Sequence, residues 1–186
     1  MTWCKVKAAA CGLLLLAALP AAAAPEKLID SDEYKDKDFR KGCIGDYQDL
    51  AEGDDLNWVW VAPGVKLADY KVAVGKIGDL TDEMVKAQVE EVSGYFRDYF
   101  AKLKGEKGTL RAEVCFYEAE KFSPGKAWIP FAGGHQMQAG FGAEVILTGS
   151  DGKVVAKLRH FAREGGRIEE AGREVAGDLR KFIADN

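Results

Sequence analysis

Apolar and polar residues alternate most regularly between Gln138 and Phe161. Ala139, Phe141, Ala143, Val145 and Leu147 share one side of an extended chain, Gly149-Ser150-Asp151-Gly152 interrupts, and alternation resumes at Val154, Ala156 and Leu158. Period-two alternation on both sides of an Asp-Gly pair predicts a β-hairpin with one buried face, because glycine accepts the positive φ of a tight turn. Asn57–Ala62, Tyr70–Ile77 and Leu110–Tyr117 read as further strands. Val85, Val89, Val92, Phe96, Tyr99, Phe100 and Leu103 recur at steps of three and four, the mark of an amphipathic helix that Thr81 can cap and Gly105 and Gly108 stop. Ile168, Ala171, Val175, Leu179, Phe182 and Ile183 give a second helix, in which Gly172 and Gly177 suggest close packing against the sheet. The pattern predicts one α+β domain over residues 42–186. About five strands form a mostly antiparallel sheet, and two long helices cover one face.

The ends of this domain are marked by composition. Residues 1–24 have the form of an export signal: Lys5 and Lys7, an apolar run from Gly12 to Leu19, then Pro20 and small residues from Ala21 to Ala24. The run is shorter than the roughly 20 residues that span a bilayer. Cys11 precedes the apolar run, so it is badly placed to carry the lipid of a lipoprotein. The expectation is an exported protein, periplasmic or associated with the outer membrane, with no transmembrane segment once the signal is cut. Residues 25–41 are rich in Asp, Glu, Lys and Arg with scattered apolar residues, a composition that favours a solvated arm over a docking segment.

Only Lys5 and Lys7 of the 26 basic residues, and none of the 30 acidic ones, fall in the signal, so the mature charge is −6. A net acidic chain argues against nucleic acid and anionic lipid as partners. Two cysteines survive cleavage, Cys43 and Cys115. An oxidising compartment permits a disulfide between them, and a buried free thiol at Cys115 suits a strand equally well.

Chemistry is sparse. His135 and His160 are the only histidines. No metal-ligand, nucleophile-elbow or phosphate-loop motif accompanies them, so no cofactor, metal or catalytic residue is expected. The stretch 118–136 is long for a loop and rich in aromatic residues and glycine, which makes Trp128, Phe131 and His135 the first place to seek a ligand site. Trp58 and Trp60 share one face of their strand and are the other candidates for stacking a ligand, although paired tryptophans more often close the edge of a core. Gly140 and Gly142 read as strand-entry and bulge glycines.

Four segments carry a resemblance. Gly42-Cys43-Ile44-Gly45-Asp46-Tyr47-Gln48-Asp49-Leu50, Pro63-Gly64-Val65-Lys66-Leu67-Ala68-Asp69-Tyr70, the hairpin from Glu144 to Gly152, and Val175-Ala176 with Leu179 are similar to segments of uncharacterised bacterial envelope proteins, many of them lipoproteins. Cys43 and Ile44 stand where that pattern has an aromatic residue and leucine. The resemblance implies an α/β fold in the cell envelope and carries over no catalytic residue. With the export signal, it favours a non-catalytic protein that binds an envelope protein or assists assembly. A small-molecule or glycan binder using the 118–136 loop is the alternative, and a hydrolase with His135 as base is a third.

Overall fold

The structure is a computed structural model that describes residues 27–122 and 138–186. The hairpin forms its middle: β5 (Ala139–Thr148) and β6 (Val154–Glu164) pair antiparallel. Gly152 takes φ +81° in the turn, where an L side chain would be strained. All five alternating residues of β5, from Ala139 to Leu147, are fully buried.

Around the hairpin stand β1 (Ala51–Glu52), β2 (Trp58–Val61), β3 (Lys71–Asp79) and β4 (Thr109–Glu120). They give one six-stranded sheet in the order β1-β2-β6-β5-β4-β3. The α+β class stands. The expectation of about five mostly antiparallel strands is corrected: there are six and the sheet is mixed, because β3 and β4 pair in parallel. They are joined by α2 (Lys86–Phe100), and strands linked through a crossover helix run the same way. β1 is too short to show any alternation.

Helix α2 and helix α3 (Ile168–Asp185) lie together on one face. Phe96, Phe116 and Phe141 run from α2 across β4 to β5 with ring centroids 5.5 and 5.0 Å apart, and all three are fully buried. Burial of each such ring stabilises by roughly 2–3 kcal/mol. Gly172 brings the helices together: a Cβ there would sit 2.8 Å from a methyl of Val92. Its close contact is therefore with α2 rather than with the sheet. Thr81 does not cap α2. Its N–H and hydroxyl both donate to Asp79 Oδ1 at the end of β3, and Gln88 instead reaches back to accept from the Val85 N–H at 3.1 Å.

Part of the opposite face of the sheet, over β2, β6 and β5, is covered by residues 27–50, which include the short helix α1 (Ser31–Lys35). The charged segment read as a solvated arm is docked. Ile29, Ile44, Tyr47 and Leu50 are buried with Tyr34 and Phe39 against Trp58, Trp60 and Ile146. Residues 27–29 also bond along β1, with Ile29 N–H to Leu50 O at 2.9 Å and Glu52 N–H to Lys27 O at 2.9 Å. Its apolar residues are too widely spaced to register as a core in composition, yet they suffice to cover a preformed sheet.

Candidate functional site

Where β5 and β6 face residues 27–50, alternation places Glu144 beside Arg159. Side chains there would be solvent-facing on an open sheet, but Glu144 is fully buried and Arg159 nearly so. Arg159 Nη1 donates to Glu144 Oε1, which also accepts from the Tyr47 hydroxyl at 2.9 Å. Glu144 Oε2 accepts from the Ile44 N–H at 2.8 Å. The Tyr47 oxygen accepts from the Gly42 N–H at 3.1 Å, and Arg159 Nη2 donates to the Arg40 carbonyl at 2.8 Å. The guanidinium lies between two rings, 3.6 Å from the centre of Tyr117 and 4.3 Å from that of Phe39. Burial drives the hydroxyls of Tyr47 and Tyr117 well above the ordinary tyrosine range, so both stay neutral.

Glycine sets this geometry twice. A Cβ on Gly42 would lie 2.4 Å from the Glu144 carboxylate, and one on Gly142 would lie 2.5 Å from the Tyr117 ring. Gly142 thus lets Tyr117 cross β5 and reach Arg159, and Gly140 leaves room for the ring of Phe161. The bulge expected near these glycines lies in β4, between Phe116 and Glu118. Beside the network the structure joins Cys43 to Cys115, with Cα atoms 5.7 Å apart, a separation suited to a disulfide. Ion pair, hydrogen bonds and disulfide together fasten residues 40–47 to the sheet. Each of these polar groups is spent on holding the chain.

The second constellation lies at the β1 edge. Trp58 and Trp60 are half-buried, and a hollow opens beside each. One, of about 440 Å³, is lined by Val59, Trp60, Val61 and Phe182 with Asp49, Asp54 and Asp55. The other, of about 420 Å³, is lined by Trp58, Leu56, Asn57 and His160 with Glu52 and Asp54. Here His160 faces the helices, two residues along β6 from the buried Leu158. Its Nε2 lies 3.0 Å from Asp178 Oδ2, and its Nδ1 is buried with no partner among the described residues. Burial lowers the imidazole below its ordinary value against the opposing pull of Asp178, so the ring is neutral near pH 7 and donates from Nε2.

Trp128, Phe131 and His135 lie outside the described residues. The loop predicted from residue 118 begins later, since Glu118–Glu120 pair with β5 as part of β4. Among the described residues, no group of three His, Cys, Asp or Glu is placed to hold a metal ion, and no helix is long and apolar enough to cross a membrane. Sequence reasoning missed Glu144, Arg159, Tyr47 and Tyr117 as a network. The one available signal was a carboxylate and a guanidinium at facing positions of a hairpin.

No family model matches the chain, and no curated protein matches it. Among solved structures, the PelC dodecamer from Paraburkholderia phytofirmans is similar at 11% identity and TM-score 0.39, covering 68% of this chain and 94% of that one. A single-substitution variant of that PelC, in another crystal form, is similar at 15% identity and TM-score 0.37, covering 66% and 94%. Likeness at this level carries no argument about what the chain does.

Proposed function

We propose that this is an exported protein of the bacterial envelope that works by binding another protein rather than by catalysis. The observation that carries the reading is the Cys43–Cys115 bond, which ties the N-terminal segment to the sheet. Such bonds persist in oxidising compartments and are rare in the cytosol. The form of residues 1–24 supports the same compartment. Against catalysis stands the use of Glu144, Arg159 and Tyr47, three of the buried groups able to do polar chemistry, as a fastening for the chain.

In-cell crosslinking of the full-length protein with a C-terminal tag, followed by purification from the envelope fraction, tests this. One discrete partner recovered repeatedly is the expected result. Recovery in the cytoplasm overturns the export reading. Recovery in the exported fraction with no partner shifts the weight to a second reading, a binder of small molecules or glycans. That reading is favoured by one observation, that Trp58 and Trp60 each border a hollow. Tryptophan fluorescence against metabolite and glycan panels reads it directly.

A further inference from the structure

Strand β3 forms the edge of the sheet opposite β1, and among the described residues no strand pairs with its outer side. Which of its backbone groups face outward follows from its two ends. The Lys71 N–H donates to Gly108 O, and the N–H of Leu80, one residue past the strand, donates to Phe116 O. Successive residues of a strand turn their N–H and C=O groups to opposite sides. Counting forward from Lys71, Ala73 also faces β4, and Val72 and Val74 face away. Counting back from Leu80, Gly78 and Lys76 face β4, and Asp79 and Ile77 face away. The two counts meet at Gly75, the extra residue where the register with β4 shifts between Val74 and Lys76. The side chains of Val74 and Ile77 are half-buried against the core on the helix face. On the other face Lys71, Ala73 and Lys76 are exposed.

The outward groups thus belong to Val72, Val74, Ile77 and Asp79, with a step of three residues in the middle. An ordinary strand offers such groups at every second residue, so it bonds to one half of this edge and turns its groups away along the other. A strand with the same three-residue step matches the whole edge, and β3 itself is such a strand. Turned antiparallel, a second β3 sets Val72 against Asp79 and Val74 against Ile77, and each pair exchanges both of its hydrogen bonds. The two bulges then face each other across the axis. The Val74–Ile77 pairs bring half-buried β-branched side chains together, a cross-strand contact that stabilises a sheet. Lys76 comes near its own copy at the axis, but each is already paired with Glu113 of its own chain at 3.3 Å. From this self-matching edge, we infer that the protein dimerises through β3, with a second copy antiparallel about a two-fold axis, so that the two sheets become one. A two-fold contact of this kind uses each edge once and stops at two chains. The inference goes beyond the envelope-partner reading and does not depend on it.

The test uses two single variants of the full-length protein, Val74→Cys and Ile77→Cys. The Cα atoms of a hydrogen-bonded antiparallel pair lie about 5.5 Å apart, within disulfide reach. Under mild oxidation the mixture of the two is expected to give a covalent dimer joined between positions 74 and 77, read by peptide mass mapping. Either variant alone gives much less, because like positions lie farther apart. Light scattering of the unaltered protein is expected to give the mass of a dimer. Ile77→Lys puts a charge on the paired edge and should weaken the dimer roughly tenfold or more, with the unfolding midpoint measured to show that the chain still folds. If that variant fails to fold, the cysteine pair decides alone. A monomer throughout the micromolar range overturns the inference. So does a covalent dimer joined at other positions, an equal yield from the mixture and from either variant alone, or a dimer as tight in folded Ile77→Lys as in the unaltered protein. Linkage of Ile77→Cys to a different protein in cells, with no linkage between copies, also overturns it and gives the edge to that partner.

Discussion

Glu144 and Arg159 show how a single pair becomes indispensable once it is covered. Taking two charges out of water costs several kcal/mol per ion, and the pair repays this only with its full set of hydrogen bonds. Glu144→Gln leaves the buried guanidinium uncompensated and should lower stability by roughly 3–5 kcal/mol in denaturant unfolding. Adding Arg159→Met to that variant should recover much of the loss, since an apolar side chain there has no charge to strand. Equal losses in the single and double variants would show that the two side chains do not act together. His160 contributes a pH dependence of the opposite origin. Its folded-state affinity for protons lies below its unfolded one, so the unfolded chain takes up the proton first as pH falls. Stability is complete above about pH 6.5 and declines below it, by at most about 1.4 kcal/mol per pH unit for one site. The groups facing the ring are Asp178 and Glu174 of α3. His160→Gln should flatten the stability profile between neutral and mildly acidic pH, measured as the denaturant midpoint at each pH.

Among the elements, the segment 27–50 is held at one place covalently. The disulfide bridges residues 72 positions apart. In the chain-entropy model a closed loop of that length stabilises by about 4 kcal/mol. Replacing both cysteines with serine should lower stability by an amount of that order, and alkylation should label Cys43 and Cys115 only after reduction. Labelling without reduction would remove the bond. This segment also marks the limit of what the sequence discloses. β5, β6 and α3 were legible because each has one buried side, and burial on one side imposes a period of two or 3.6. Periodicity carries no direction, so the parallel course of β3 and β4 was not legible in their residues, although the helix between them was the available sign. Trp58 and Trp60 were legible as a pair sharing one face. The burial of Glu144 was not, because the backbone that satisfies it lies 100 residues earlier in the chain.

For the molecule as a whole, the sheet is sealed late. β2, near the beginning, has β6 for its long partner, and residues 40–47 have Glu144 and Arg159. A ribosome or a translocation channel delivers the chain in order. By that order the first third emerges well before the strands it needs, and remains without its partners until residue 164 has followed. The residues that cover Trp58 and Trp60 come before them in the chain, but the strand that holds both tryptophans in the sheet, and the Glu144–Arg159 pair that fastens the cover, come about 100 residues later.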